Sequence, residues 1–384
     1  MNRPAFSPRP ASAANSAARP FAHSGAGAAI RVMVVDDSLT VRTIFKRMVE
    51  SDPALVIVGT ASSAEGALQQ LAQTPADVVL LDLEMPGIGG LSALPQILAT
   101  PGHPQVLVVS SLTMDGAEHT LAALQMGAAD TLAKPRPGGF TEDYRAALLG
   151  KIRALGSRPA EGAAEALAAP PPRPEPSFAR APLAGRRRRP EVVAIGASTG
   201  GIHALGLLLR QLPRGFEVPL LVTQHLPASF IPVFARQVES ACGRPADIAM
   251  DGMVLTPGRI VIAPGHGHIV VKRAGSLGLV VEVSSAPQPS GCLPSVDPML
   301  SSLAEACEGR ALGVILSGMG RDGAIGAKAL VEAGGAIFAQ DADTSAVWGM
   351  PGAVARAGLA SIIAPPERLG EAVLAQASAP VARP

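Results

Sequence analysis

Apolar residues along this chain fall into short unbroken runs, separated by stretches in which they recur every three or four positions. From residue 30 the runs IRVMVV, LVIVG, DVVLLDL, QVLVVS and DTLA alternate with LTVRTIFKRMVE, AEGALQQLAQ, LSALPQILA, AEHTLAALQMG and a last such pattern over 144–155. A short unbroken run fits a strand covered on both faces, and the three-to-four spacing fits an amphipathic helix. Five strands and five helices in strict alternation predict a doubly wound parallel sheet over 30–150. The alternation resumes with EVVAIG, HALGLLLRQL, PLLVTQ and FARQVESA, passes a β-rich stretch over 247–283, and finishes with ALGVILS, AIGAKALVEA and AIFAQ. A second, larger α/β domain with a β-rich insertion is predicted over 190–378.

Two segments lack this patterning. Residues 1–29 are rich in Ala, Ser, Pro and Arg and contain no Leu, Ile or Val. They cannot bury enough surface to offset the entropy of ordering, so a disordered tail is expected. Pro4, Pro8, Pro10 and Pro20 argue against a transit peptide, because they would break its amphipathic helix. Residues 151–189 carry APPPRPEP and four arginines at 186–189, and read as a semi-rigid solvated linker.

Composition narrows the classes. With 48% hydrophobic but 3% aromatic residues, the cores must be built from Val, Leu, Ile and Ala, which suits parallel sheets under helices. A net charge of +1 gives no global field toward nucleic acid, and no apolar run approaches the ~18 to 20 residues of a membrane span. Cys242, Cys292 and Cys307 are odd in number, at spacings unlike a zinc site, and suit free thiols in a reducing cytoplasm.

In a doubly wound sheet, functional side chains collect at the carboxyl ends of the strands. In the first domain that rule selects Asp36 and Asp37, Asp82, Ser110 and Lys134. Three convergent carboxylates repel one another unless a divalent cation lies among them, and hard oxygen ligands at an open site suit Mg2+. One carboxylate can then attack a phosphoryl group while Lys134 neutralises the developing charge. The plainer alternative makes Asp36 and Asp37 caps of the first helix. The segments VDDSLTVR, LLDLEMPG, VVSSLT and AKP resemble the response-regulator receiver family over 30–150. The resemblance implies a flavodoxin-like fold, Asp82 as phospho-acceptor, Asp36, Asp37 and Asp82 as magnesium ligands, Ser110 as switch hydroxyl and Lys134 as phosphoryl contact. Gly89-Gly90 stands where the family usually has Asp-Gly, a change expected to loosen the helix start.

In the second domain EVVAIG runs into ASTGG and a helical pattern, so Ser198 sits in a Gly-rich strand-to-helix turn of the form G-x-S-x-G. Such a turn either exposes a nucleophilic hydroxyl or cradles a phosphate. The spacing is not G-x-G-x-x-G, which disfavours a dinucleotide site. A nucleophilic serine needs a base and a group that orients it. His225 ends the next strand and is favoured over His266 and His268, which lie in a Gly-rich turn. Asp322 follows the strand ALGVILS and is favoured over Asp297, which reads as a helix cap.

VAIGASTGGIHAL, TQHLPASF, LTPGRIVIAPGHGH, PSVD, LSGMGRDGAIG and AQDADTSAVWGMP are similar to the catalytic domain of the chemotaxis protein-glutamate methylesterase family. That resemblance implies a Rossmann-like domain with Ser198 as nucleophile, His225 as general base and acid, Asp322 as its orienting partner and the Met319 N–H as an oxyanion donor. It further implies methyl-accepting chemoreceptors as substrate, a chemotaxis histidine kinase as phosphodonor, and a cytoplasmic monomer that binds no nucleic acid and enters no membrane. The expected chemistry is ester hydrolysis and glutamine deamidation without a cofactor at the esterase site. Two departures are visible, Ile202 in place of Pro and Leu293 in place of Arg. Two rival classes remain. A DNA-binding regulator is disfavoured, because the output domain opens with a strand and a Gly-rich turn in place of a recognition helix. A non-catalytic phosphoryl sink or scaffold, its second domain retained for receptor binding, is separated by an ester-hydrolysis assay.

Overall fold

The computed structural model describes residues 29–110, 114–135, 139–157 and 189–378. Most of the expected tail and linker, including 186–188, lies outside these residues.

The first domain alternates β1 (Ile30–Val35), α1 (Leu39–Glu50), β2 (Leu55–Ala61), α2 (Ala64–Gln73), β3 (Val78–Asp82), α3 (Gly89–Leu98), β4 (Gln105–Ser110), α4 (Met114–Gln125), β5 (Asp130–Ala133) and α5 (Glu142–Gly156). The strands pair in parallel in the order β2-β1-β3-β4-β5, a doubly wound sheet whose chain reverses direction between β1 and β3. The central strands are mainly apolar because helices cover both faces: β3 is buried along its whole length, down to Asp82 at its carboxyl end. α5 runs six residues into the span read as linker, because Ile152 and Leu155 are buried against the sheet. At the start of α3 the capping position is Ile88, which makes no side-chain cap hydrogen bond. Gly90 has a stricter role, since a Cβ there would lie 2.1 Å from the carbonyl oxygen of Asp82.

The second domain continues with β6 (Val192–Ala197), α6 (Gly201–Leu209), β7 (Leu220–Gln224), α7 (Ile231–Cys242), β8 (Ala246–Ile248), β9 (Ile260–Ile262), β10 (His268–Arg273) and β11 (Leu279–Ser284). It ends with α8 (Val296–Cys307), β12 (Ala311–Ile315), α9 (Ala324–Glu332), β13 (Ala336–Gln340), α10 (Met350–Arg356), β14 (Ile362–Ala364) and α11 (Pro366–Ala377). Seven parallel strands form a sheet in the order β14-β13-β12-β6-β7-β9-β8, with the direction reversing between β6 and β12. The β-rich stretch is thus only partly an insertion. β8 and β9 extend the main sheet, and only β10 and β11 form a separate antiparallel hairpin. Strands of three residues are too short to show a period, which is why the sequence does not separate them from the hairpin.

Gly200 begins α6 at φ +76°, and a Cβ there would meet Ser317 Oγ at 2.7 Å and Ala346 Cβ at 2.6 Å. Gly200→Ala is therefore expected to destabilise the second domain by about 1–3 kcal/mol, through left-handed strain plus overlap. Denaturant unfolding followed by fluorescence of the single tryptophan, Trp348, measures it.

Candidate functional site

The polar residues of the first domain meet at the carboxyl edge of its sheet, beside the β1/β3 switch point. Asp36, Asp37 and Asp82 bring carboxylate oxygens within 4.8 Å of one another. Lys134 Nζ lies 2.8 Å from Asp36 Oδ2 and 2.7 Å from Asp82 Oδ2. Burial raises the Asp82 carboxyl above its ordinary range; Lys134 opposes the shift and the negative charge of Asp36 adds to it. Asp36 Oδ2 is buried and makes no well-aligned hydrogen bond despite the nearby ammonium. A carboxylate oxygen short of partners among two other acids fits a divalent cation held by oxygen ligands. The helix-cap alternative does not hold: Ser38 caps α1, accepting from Val41 N, and Asp36 Oδ1 accepts from Ser38 N at 2.9 Å. The Ser110 hydroxyl makes a short hydrogen bond with Thr120 on α4.

In the second domain the loops after β12, β6 and β7, three neighbouring strands, carry Asp322, Ser198 and His225 respectively. The β6/β12 reversal opens the crevice between the first two. His225 Nε2 donates to Asp322 Oδ2 at 2.8 Å, leaving Nδ1 as the nitrogen able to take a proton from Ser198. Ser198 lines one small cleft with His225, though no hydrogen bond joins their side chains. Asp322 also accepts from Ser295 Oγ at 2.6 Å and from Val296 N at 2.7 Å. Burial alone would raise its carboxyl, but the bonds from His225, Ser295 and Val296 win and hold it below the usual range. Burial likewise opposes charge on His225, yet Asp322 and the neighbouring Cys292 outweigh it and push the imidazole up to about 9. Met319 lies in the loop of Asp322 with its side chain exposed. That loop runs directly against the serine, since a Cβ on Gly318 would lie 2.9 Å from Ser198 Cβ.

The rival residues have other duties. His268 is buried, accepts from Ser295 N at 2.8 Å and bonds Ala286 O at 3.0 Å. It thereby steadies the residue that bonds Asp322. Asp297 is not the cap of α8; Ser295 is, and Asp297 Oδ1 accepts from Gly326 N at 2.8 Å, tying α8 to α9. Burial, with Asp322 close by, raises its carboxyl. Ile202 is buried at the cleft and Leu293 is exposed.

The first domain covers this cleft. Gly200 N donates to Ala129 O at 2.6 Å, Thr199 Oγ1 donates to Asp130 Oδ2 at 2.6 Å, and His203 Nδ1 meets Gln125 O at 2.8 Å. Lys151 pairs with the same oxygen of Asp130, and Arg236 pairs with Glu118 at the rim. Leu124 and Ala128 join Ile202 and Leu226 in one continuous apolar cluster. The space left between Ser198, His225 and this face holds about one water molecule.

Residues 32–140 match the response regulator receiver domain family and 193–373 the CheB methylesterase family. Protein-glutamate methylesterase/protein-glutamine glutaminase 2 of Caulobacter vibrioides is 41% identical over 351 residues, which cover 91% of this chain and 99% of that protein. The chain belongs to the protein-glutamate methylesterase/protein-glutamine glutaminase family. A further member, from Rhodospirillum rubrum, is 40% identical over 375 residues, covering 92% of this chain and 96% of that one. The crystal structure of the Thermotoga maritima CheB methylesterase catalytic domain is 33% identical, covering 48% of this chain and 98% of that one, with a TM-score of 0.47. In this methylesterase, sequence reasoning overlooked Thr120, Ala129, Asp130, Ser295 and the nearness of Cys292 to His225. Only the PSVD segment flagged any of them, through Ser295.

In the methylesterase the His225 titration is expected near 9, read from its imidazole proton resonances, so ester hydrolysis, which needs the neutral imidazole, should rise with pH toward that value. Asp322→Asn removes one of the two groups that raise the imidazole, Cys292 being the other, while burial persists, so the titration should fall below about 9. An unshifted titration in that variant overturns the electrostatic assignment.

Proposed function

We propose that this chain hydrolyses glutamyl γ-methyl esters on chemoreceptors, and deamidates selected glutamines, by Ser198, His225 and Asp322, and that a histidine kinase raises the rate through Asp82. The observation that carries the reading is the His225–Asp322 bond at the strand ends beside Ser198, under the receiver face.

Ser198 Oγ attacks the ester carbonyl while His225 Nδ1 takes its proton, and Asp322 stabilises the imidazolium through Nε2. The oxyanion meets the backbone N–H groups of Met319 and Gly200, from the two loops flanking the serine. His225 returns the proton to the departing methoxide, or to the departing amide nitrogen of a glutamine, so that methanol or ammonia leaves and an acyl-serine remains. Water, deprotonated by His225, then releases glutamate and restores the serine. The Gly200 N–H is occupied by Ala129 O here, so the receiver must leave before a substrate carbonyl can use it.

At the other pocket, Asp36, Asp37 and Asp82 would hold Mg2+, which when bound neutralises charge on the transferring phosphoryl group. Asp82 attacks the phosphorus and Lys134 pairs with the phosphoryl oxygens. Ser110 then leaves Thr120 and turns toward the new phosphate, which frees α4 to shift. α4 carries Gln125 and Leu124 at the interface, so its movement loosens the cover over Ser198. The three free thiols and the resemblance support a cytoplasmic monomer.

Methanol release from methylated receptor, with and without a small phosphodonor, tests both halves. Ser198→Ala, His225→Ala and Asp322→Ala are each expected to lose about 10⁴-fold or more while remaining folded. Near wild-type turnover by any one of them removes that residue from the mechanism. Asp82→Asn should abolish magnesium-dependent labelling and the response to phosphodonor. Asp130→Ala, which releases Thr199, should raise the unphosphorylated rate about 5- to 150-fold, the range of a coupling of ~1 to 3 kcal/mol. An unchanged basal rate in that variant would rule out occlusion.

A further inference from the structure

Cys292 has no part in that chemistry, yet its thiol stands beside the histidine that does. It sits on the loop leading into α8, after Gly291 at φ +68°, and is partly buried. A ring nitrogen of His225, the sulfur of Cys292 and a carboxylate oxygen of Asp322 all lie within 4.8 Å of one another. The thiol has a long, weak contact with Ser290 O at 3.8 Å and faces the His225 ring. His225 and Asp322 are mostly shielded from water, with side chains 16% and 2% exposed. Three donors of different type, from three separate loops, therefore converge at the floor of one cleft.

One nitrogen, one sulfur and one oxygen form a borderline-soft ligand set, unlike the all-oxygen pocket around Asp82. Tetrahedral zinc with bonds of about 2.0 to 2.3 Å places such donors about 3.3 to 3.6 Å apart. Small side-chain rotations reach that spacing from the present one. A thiolate and a carboxylate balance the charge of a divalent ion, so the occupied site is neutral where it is most shielded.

We propose that His225, Cys292 and Asp322 form an inhibitory site for a zinc-class divalent cation. On binding, the Cys292 thiol and the His225 imidazolium each give up a proton to solvent, and the thiolate sulfur bonds the metal. His225 contributes a neutral nitrogen, Asp322 an oxygen, and a water completes the tetrahedron. His225 and Asp322 are then held by the metal, and the imidazole can no longer take and return a proton. Inhibition rests on the reading given under Proposed function; binding does not.

Cobalt(II) on the full chain, with excess Mg2+ to fill the oxygen pocket, is the probe. One equivalent should give a thiolate-to-cobalt charge-transfer band that Zn2+ displaces. Cys292→Ser should abolish the band and Asp82→Asn should retain it. In the esterase assay, Zn2+ should inhibit reversibly with chelator, and Cys292→Ser should need at least about 10-fold more Zn2+ for the same fractional loss, each variant measured against its own metal-free rate. No thiolate band in the unaltered chain, a band that survives Cys292→Ser, or equal zinc sensitivity in both would overturn the proposal. A Cys292-dependent band in a chain that hydrolyses no ester would keep the site and refute the catalytic reading.

Discussion

The amide of Gly200 donates to the carbonyl of Ala129, and this one hydrogen bond joins the turn that carries Ser198 to the start of the receiver's last strand. A helix leaves its first N–H groups without partners inside the helix. At the mouth of α6 one of them is supplied by the receiver. Thr199 and Asp130 repeat the connection one residue along each chain segment, and the apolar cluster shared by the two domains closes around both. The cleft is covered by backbone and side-chain bonds that need the two loops in register, and a slight displacement breaks all of them together.

The receiver places the Asp82 pocket and its contact with the Ser198 turn at opposite ends of its own fold. Asp82 lies at the carboxyl edge of the sheet, whereas Ala129 and Asp130 lie at the amino end of β5. α4 runs between these edges and touches each, through Thr120 toward Ser110 and through Gln125 toward His203. At about 1.5 Å per residue, a helix of this length spans the thickness of the sheet edge to edge. A packed helix moves as a body, so a change at one hydroxyl reaches the far contact without a chain of side-chain rearrangements.

Much of this was legible in the sequence because parallel sheets expose their chemistry by rule. A residue at the end of an apolar run is placed at a known edge, and that rule singled out Asp36, Asp82, Ser110, Lys134, His225 and Asp322, with the Gly-rich turn adding Ser198. The resemblance named their roles, and the geometry supplied the His225–Asp322 bond. What escaped lay outside the rule. Ala129 and Asp130 precede a strand, and Thr120 sits within a helix, where polar residues are ordinary. Ser295 and Cys292 come from a loop whose path depends on packing of the β10–β11 hairpin and α8. Asp297 looked like a cap because an acid commonly precedes a helix, but the serine two positions earlier took that place and the acid turned inward to Gly326.

Because the N–H of Gly200 is already satisfied by the receiver, a substrate carbonyl can reach it only in competition with Ala129. Whatever binds one of two states draws the population toward that state by mass action. On the proposed mechanism, substrate and phosphate act on the same equilibrium from different ends of the molecule. Where receptors are crowded together, the opening equilibrium would respond to their local density as well as to the kinase, and the amount of phosphate needed for a given rate would fall as substrate accumulates.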